Sequence, residues 1–252
     1  MDDSTIKAGI TKKWDSSAEQ YDDRVSHGIL TAEEKRLWMN VFRAVLPEGP
    51  LRILDVGCGT GAMGLLLSEM GYDVIGIDLS EKMMEVGQKK NEKRRLSMIF
   101  IKGDAENPPF EDNYFDVVIN RHLLWTLPHP DIALASWKRT VKPNGQVIVI
   151  DGVWDDGEKI TKIRRNLSAA LEKIFDPVPS PSGYDEEVLE ILPNAGGVSD
   201  SNARKYFSKA GFKNIYLNNL IHIRDSQKKQ LKWYQKIQHH WSYYLISGTK
   251  EV

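Results

Sequence analysis

The alternation of apolar and polar positions predicts repeated strand and helix units from residue 51 onward. Short runs rich in β-branched residues, each ending at a polar residue, are typical of strands buried in a sheet. The segments between them have helical spacing, with Gly71 and Ser80 placed as a helix stop and a helix N-cap. The predicted strands are 51–56, 72–78, 97–104, 114–120 and 146–151, and the predicted helices are 61–71, 80–96 and 131–141, with a turn at 142–145. This order indicates βαβ units and a parallel sheet.

The flanking segments do not follow this alternation. Residues 4–46 contain two helical patterns, and residues 157–200 have the composition of an insertion. The pattern predicts N-terminal helices around 16–25 and 31–46, an insertion made of a helix (159–175), a proline-rich loop (176–183) and a short helix (184–192), and then a helix (201–211), a strand (212–220), a helix (226–240) and a last strand (242–250).

Composition narrows the class of protein. The 252 residues are 41% hydrophobic and 27% charged, which is ordinary for a globular chain with a core. A net charge of -1 gives no support to a nucleic-acid partner. No apolar run approaches the roughly 18 residues of a membrane span, and the N-terminus lacks a signal peptide's apolar stretch. We therefore expect a cytoplasmic protein without a nucleic-acid or membrane partner.

Metal and disulfide chemistry find little support in the sequence. The single cysteine, Cys58, excludes an internal disulfide and a multi-cysteine metal site. His239 and His240 are adjacent, so on a helix they point about 100° apart. We expect no metal.

The glycine-rich turn after the first predicted strand is the clearest chemical signal. In "ILDVGCGTG" (53–61), Gly57 and Gly59 fit the dinucleotide-binding fingerprint, but the same stretch also reads D-x-G-x-G-x-G with Asp55 at its head. The glycines permit a sharp turn and a close approach of the backbone to a ligand. The helix that begins near Gly61 directs free N–H groups at an anionic group.

The acids at the predicted strand ends decide between the two ligands. Ligands of parallel sheets bind at this edge, which carries Asp55, Asp78, Asp104, Asn120 and Asp151. Asp55 would lie against a dinucleotide's diphosphate, and like charges about 4 Å apart cost about 4 kcal/mol at an effective dielectric near 20. S-adenosylmethionine (SAM) carries a sulfonium and an ammonium, so the acids favour it over a nicotinamide dinucleotide.

The string 53–61, followed by Asp78 and "GDAE" (103–106), resembles class I SAM-dependent methyltransferases of the branch that methylates small molecules (methyltransferase type 11-like). The resemblance covers about 50–151 well and 201–250 loosely. It implies an α/β fold with a Rossmann-like, seven-stranded, mostly parallel sheet, helices on both faces, and an inserted antiparallel last strand. A helical cap (1–50) would precede the SAM-binding domain (51–252), which would carry a lid insertion at about 157–200.

The resemblance also implies the cofactor contacts. Asp55 would lie near the methionine end of SAM, Asp78 would hold the ribose, and Asp104 would meet the adenine edge. Tyr21, in "YD", would close over the cofactor, and Cys58 is expected to be a small packing residue within the loop. The full implied set is Tyr21, Asp55, Gly57, Cys58, Gly59, Gly61, Asp78, Leu79, Met83, Asp104, Ala105, Asn120 and Arg121.

The sequence indicates the catalytic and acceptor-binding residues less clearly than the cofactor-binding ones. His122 has a side chain suited to proton removal near neutral pH, but it is equally a candidate for a structural contact to the cofactor. Asp151 is the second candidate base. Trp125, Trp154 and Tyr184 are candidate walls of an acceptor pocket, with the prolines of 177–181 above them.

The sequence thus predicts an enzyme that transfers a methyl group from SAM to a small molecule and leaves S-adenosylhomocysteine. Two alternatives stay open at this point, an RNA or protein methyltransferase and a non-catalytic SAM-binding protein. Neither the methyl acceptor, the atom methylated nor the oligomeric state can be read from the residues.

Overall fold

The predicted sheet is present in the structure, a computed structural model that describes residues 2–176, 184–238 and 242–251. Within these residues the strands are β1 (Arg52–Val56), β2 (Asp73–Asp78), β3 (Ile99–Lys102), β4 (Phe115–Arg121), β5 (Val141–Val153), β6 (Lys213–Asn219) and β7 (Ser242–Thr249). They form one seven-stranded sheet in the order β3-β2-β1-β4-β5-β7-β6. The pairs among β1 to β5 are parallel, and β7 lies between β5 and β6 and runs antiparallel to both. The expected α/β Rossmann-like fold with an inserted last strand is therefore confirmed.

Helices cover both faces of the sheet, and each face has its own apolar core. Among the described residues they are α1 (Asp3–Ser17), α2 (Ala32–Val45), α3 (Ala62–Glu69), α4 (Glu81–Arg94), α5 (Pro130–Thr140), α6 (Lys159–Phe175), α7 (Glu186–Ile191), α8 (Asp200–Lys209) and α9 (Ile221–Gln230). The adjacent β1 residues Ile53 and Leu54 point into opposite clusters, as the pleat of a strand requires. Trp38 of α2 packs in the first cluster and Trp137 of α5 in the second. Burial on both faces explains why the strands read as nearly continuous apolar runs.

The turn predicted at 142–145 lies inside β5. Phe115 pairs with Val141 and Val117 pairs with Gln146, so the residues between them bulge out of the ladder. Asn144 adopts a φ of 62° there. Proline and glycine thus mark a bulge that lengthens the strand, and the predicted boundary was wrong because a bulge and a turn use the same residue types.

Two predicted helices are displaced in the structure. The helix predicted around 16–25 is instead α1, which Asp2 caps by accepting a hydrogen bond from the Thr5 N–H at 2.8 Å. The helix predicted at 226–240 begins earlier, as α9. The predictions for α2, α4 and α6 hold, including the Ser80 cap, whose Oγ accepts from the Met83 N–H at 3.2 Å.

A third, small apolar cluster joins the N-terminal segment to the insertion. Ile6 and Ile10 of α1 pack on Val188 of α7 and on Leu192. This contact holds α1 across the carboxyl ends of the strands. Among the described helices, none combines the length and apolar character needed to cross a membrane. Residues 177–183 and His239–His240, which featured in the predictions, lie outside the described residues.

Candidate active site

A cleft opens at the carboxyl ends of the central strands. Nine of the thirteen residues expected to bind a cofactor line it: Tyr21, Gly57, Gly59, Asp78, Leu79, Met83, Asp104, Ala105 and Arg121. We call this space the first cavity. Residues far apart in sequence therefore meet where ligands of open α/β sheets bind.

The loop after β1 has a conformation that requires glycine. Gly57 and Gly59 have φ values of 64° and 53°, which side-chain-bearing residues rarely adopt. A Cβ at Gly57 would lie 2.6 Å from Cδ1 of Leu123. Glycine is thus required at position 57 because Leu123 fills the space that a side chain would need, and the bare backbone of Gly57 and Gly59 lines the first cavity.

Asp78 at the end of β2 is built into this loop. One carboxylate oxygen accepts from the Gly59 N–H and the other from the Ser80 N–H, both at 2.8 Å. Burial raises the pKa of Asp78, while these N–H groups act to lower it. Asp78 therefore fixes the loop and also lines the first cavity.

The other four expected residues lie behind the lining of the first cavity. Asp55 is buried and accepts from the Gly64 N–H at 2.9 Å, and burial raises its pKa to about 7. Cys58 is buried, which raises the pKa of its thiol well above the ordinary value. Gly61 precedes α3 at its N-cap. Asn120 is fully buried, and neither its Oδ1 nor its Nδ2 has a hydrogen-bond partner among the described residues.

Helix α1 supplies one wall of the first cavity, which the sequence interpretation missed. Its Lys7 Nζ lies 2.8 Å from Oδ2 of Asp104 and 2.6 Å from Oε2 of Glu106. The cavity-facing residues are Lys7, Ile10, Thr11 and Trp14. Their spacing of three, four and seven is that of one helix face, a signal that the sequence does contain.

Tyr21 follows α1 and is held close to the glycine loop by its neighbour. Thr60 Oγ1 donates to Asp22 at 2.7 Å, and the Lys90 ammonium pairs with the same carboxylate at 2.5 Å. The Tyr21 ring packs edge-on to Trp14, with 5.8 Å between their centroids. The "YD" pair therefore joins the N-terminal segment to the loop.

The end of β4 presents two basic side chains to the first cavity. Arg121 is buried; its Nη2 donates to the His27 carbonyl, and its Nη1 has no partner among the described residues. His122 adopts a φ of 57°, and its Nε2 lies 3.2 Å from the Ser26 carbonyl oxygen. Nε2 also lies 3.4 Å from the Tyr243 hydroxyl. In the tautomer that donates Nε2–H to the nearer Ser26 carbonyl, which can only accept, Nδ1 keeps a free lone pair.

The His122 imidazole is uncharged at neutral pH. Burial, with the nearby Arg121 and His27, holds its pKa well below the ordinary value. A neutral imidazole with a free Nδ1 is able to accept a proton.

A second, larger cavity of about 1430 Å³ adjoins the first. Trp14, Tyr21 and His122 line both, so these three side chains form the partition between them. Trp125 and Trp154 lie in the wall of the second cavity, edge to face, with their centroids 4.9 Å apart. Tyr184 lies outside that lining. Its hydroxyl forms a hydrogen bond with the Thr126 hydroxyl, and its ring packs at a tilt against Trp125.

The charge of the second cavity is positive. Lys13, Arg24, Arg165 and Arg224 line it, and none of its described lining residues is Asp or Glu. Arg165 pairs with Asp155, just outside. Burial and the neighbouring Arg24 lower the pKa of Lys13, as expected of two cations held side by side.

Asp151, the other expected base, lines neither cavity. It is fully buried and accepts from the Gly152 N–H at 2.8 Å, and its Oδ2 has no hydrogen-bond partner among the described residues. Burial raises its pKa to about 8. Within the described part of the chain, no group of three or more His, Cys, Asp or Glu is arranged to hold a metal ion.

Comparison with known proteins agrees with this geometry. Residues 54–149 match the family described as "Methyltransferase domain". A demethylmenaquinone methyltransferase of Renibacterium salmoninarum is 34% identical over 233 residues, which cover 90% of this chain and 85% of the relative. A ubiquinone/menaquinone biosynthesis C-methyltransferase of Cupriavidus metallidurans is 32% identical, covering 78% of this chain and 83% of its own.

A solved structure supports the fold alone. A SAM-dependent methyltransferase of Thermotoga maritima, described as a possible histamine N-methyltransferase, superposes with a TM-score of 0.61 at 20% identity, covering 96% of this chain and all of that one (100%). The comparisons do not favour an RNA or protein methyltransferase or a non-catalytic SAM-binding protein. Three features of the site suit SAM. The bare backbone of the glycine turn and the acid Asp78 suit its adenosyl part, and the unpaired nitrogen of Arg121 suits the carboxylate of its methionyl part. The chain therefore belongs to the SAM-dependent methyltransferases that act on small molecules, the family that includes the demethylmenaquinone methyltransferases.

Proposed function

We propose that this methyltransferase acts on a quinone-type aromatic ring, bound in the second cavity in its reduced, hydroxylated form. The names of the relatives support the class of acceptor. The observation that carries the proposal is the partition of Trp14, Tyr21 and His122 between two adjoining cavities. One cavity suits the cofactor, and the other is aromatic and positively charged.

The cofactor would be held by residues that differ in task. SAM, when bound, supplies an electrophilic methyl group on its sulfonium. Gly57 and Gly59 leave room for it, Asp78 faces the ribose, and Asp104 with Ala105 faces the adenine. The free Nη1 of Arg121 is available to the methionyl carboxylate.

The acceptor would be held between aromatic rings and activated by its surroundings. The edge-to-face pair of Trp125 and Trp154 offers an apolar wall to a flat ring. His122 Nδ1 takes the proton of a ring hydroxyl, and the resulting phenolate is stabilised by Lys13 and Arg24. Ionising the hydroxyl makes the neighbouring ring carbon a better nucleophile, and this carbon would bond to the methyl group as the sulfonium carbon–sulfur bond breaks. The hydrogen of that carbon would then move to the ring oxygen as a proton and restore the hydroxyl, and His122 would release its proton to water. Asp151 would act indirectly, by bonding the backbone beside this wall.

The test is transfer of labelled methyl from SAM to a demethylated naphthoquinol with a short side chain, kept reduced. The same naphthoquinol already methylated at the ring carbon is the matched control acceptor. We expect label in the first and none in the second. Transfer to neither, with SAM bound normally, would overturn the proposed acceptor but not the family.

Arg24→Gln tests the positive wall directly. Losing a charge-assisted contact to the phenolate should raise KM for the acceptor about tenfold or more, with SAM affinity unchanged. Arg43→Gln removes an exposed arginine of α2, outside both cavities, and is the control. An Arg24 variant with unaltered KM would exclude this residue from acceptor binding.

A further inference from the structure

Helix α6 buries its polar face and exposes its apolar face, which is the reverse of an ordinary amphipathic helix. Its two buried residues are polar, Thr161 and Ser168, and the half-buried Arg165 and Glu172 lie on the same face. That face also makes polar contacts: Arg165 pairs with Asp155, and Glu172 accepts from the Gln235 amide at 3.1 Å. The apolar face of α6 points to solvent, namely Ile160, Ile163, Leu167 and Ile174.

The exposure of this face is large. Ile163 is 65% exposed and Ile174 is 69% exposed. A helix normally buries such residues, because each one left in water forgoes the free energy of burial. The face therefore indicates an apolar environment outside the chain.

The apolar face continues beyond the end of α6. Phe175 is largely exposed, and its ring lies 5.7 Å from that of Trp233, which is 60% exposed. Aromatic rings at the rim of an apolar face are typical of surfaces that meet the boundary between water and lipid.

Positive charge borders the same face. Lys159, Lys162 and Lys173 are exposed along one side of the stripe, and Arg164 is on the other. The acids nearby are Asp156 and Glu158 before the helix, Glu172, which faces Gln235, and Asp176, which pairs with Lys232 after it. The border along the helix itself is thus basic.

This charge distinguishes between possible occupants. A second copy placed face to face would set lysines against lysines, which costs free energy. An anionic lipid surface complements the lysines and accepts the apolar side chains together. We propose that α6, with Phe175 and Trp233, lies in the interface of an anionic bilayer, the apolar stripe among the acyl chains and the lysines against the headgroups.

The position of α6 gives this contact a use beyond attachment. Its inward-facing Arg165 lines the second cavity, so the proposed membrane face and that cavity are on opposite sides of one helix. An apolar acceptor dissolved in lipid would then be close to its site. The inference itself does not depend on the proposed acceptor, since it concerns lipid binding alone.

The test is flotation of the full chain with vesicles of phosphatidylglycerol and phosphatidylcholine, beside vesicles of phosphatidylcholine only. We expect binding to the mixed vesicles and at least about tenfold less to the neutral ones. Ile163→Glu with Ile174→Glu should reduce binding about tenfold or more, and these exposed positions leave the core intact. Ile132→Glu, at a 53% exposed isoleucine of α5, is the matched control and should bind like the wild type.

Charge is tested separately. Lys162→Glu with Lys173→Glu should reduce binding to the mixed vesicles about tenfold. Lys89→Glu with Lys93→Glu, on exposed positions of α4, should not. Equal binding of wild type and both α6 variants overturns the proposal. So does a stable dimer that the α6 isoleucine variant dissociates, with no binding to vesicles, since the occupant would then be a second copy.

Discussion

At the scale of single residues, Gly57 and His122 are the positions where backbone conformation and chemistry meet. Both residues have a positive φ. Gly57 lines the first cavity, and His122 lies between the first and the second cavity. A non-glycine residue held at such a φ is strained, and strain of this kind is concentrated at functional sites. The left-handed His122 turns its ring toward the N-terminal segment, where Nε2 lies 3.2 Å from the Ser26 carbonyl oxygen.

Gly57→Ala should lower SAM affinity more than stability. The positive φ costs about 1 kcal/mol for alanine, and the added methyl pushes on Leu123 in the cavity wall. We expect SAM binding to weaken about tenfold by calorimetric titration. Gly49→Ala has a similar φ of 102° but nothing within 4 Å, so it should show the stability loss with normal SAM binding. Equal SAM affinity in the two variants would contradict a role for the loop in binding.

His122→Asn should lower kcat about a hundredfold or more if Nδ1 takes the acceptor's proton. The pKa of His122 lies well below its usual range because of burial and Arg121. The imidazole therefore loses its proton at a lower pH than an ordinary histidine does, so we expect no ordinary histidine inflection of the rate between pH 6 and 7. The measurement is a pH profile of kcat with the variant beside the wild type. A wild-type rate that doubles or more across that interval would mean that another group, or a charged His122, governs the step.

Of the residues that the sequence marked, Asp78, Gly57 and Gly59 line the first cavity, whereas Asp55 and Asn120 lie behind it. The turn after β1 is set by its own backbone, so local residues are enough to predict it. The direction in which a strand-end side chain points is set by the pleat and by the helix that follows. Asp55 turns toward the N-terminus of α3, where it bonds Gly64, rather than into the first cavity.

At the scale of elements, α1 is the feature that the sequence predicted least. Its cavity face mixes Lys7 and Thr11 with Ile10 and Trp14, so apolar periodicity is weak along it. A helix that closes a polar cleft needs such a face, which is why the hydrophobic pattern failed to mark it. The strands of the core were predicted because burial on both faces leaves an apolar run that needs no knowledge of partners.

Lys7→Met should loosen α1. It leaves the nearly buried Glu106 carboxylate and Asp104 without their cation, so we expect the free energy of unfolding to fall by about 1–3 kcal/mol. Lys35→Met breaks a half-exposed pair with Glu69 and should cost less than about 1 kcal/mol. Urea unfolding of both variants measures the difference. A smaller loss for Lys7 than for Lys35 would show that α1 is held by its apolar contacts alone.

At the scale of the whole molecule, stability depends on pH through buried acids. The folded-state pKa values of Asp55 and Asp151 are raised to about 7 and about 8, above the ordinary 3.8, because burial disfavours the carboxylate. The folded protein thus binds these protons more tightly than the unfolded chain does. The stability that they contribute is complete below pH 4 and is lost as pH rises through 7 and 8.

Asp151→Asn should remove the larger part of this dependence. The variant has no proton to lose, so its free energy of unfolding relative to wild type should increase from pH 5 to about pH 8 and then level off. Thermal or urea unfolding at several pH values measures this difference. A difference that stays constant over that range would mean that Asp151 is charged in the folded protein.

The contacts of α1 also bear on how fast the enzyme can work. Lys7 pairs with acids that follow β3, Asp15 accepts from the Ser80 hydroxyl, and Trp14 packs on Tyr21. Helix α1 therefore forms one wall of the first cavity, and these contacts hold it in place. If cofactor exchange passes these residues, α1 has to undock in each turnover, and we predict that release of S-adenosylhomocysteine rather than methyl transfer limits the rate. A burst of methylated product in the first turnover is the expected result, and a linear time course without a burst would contradict it.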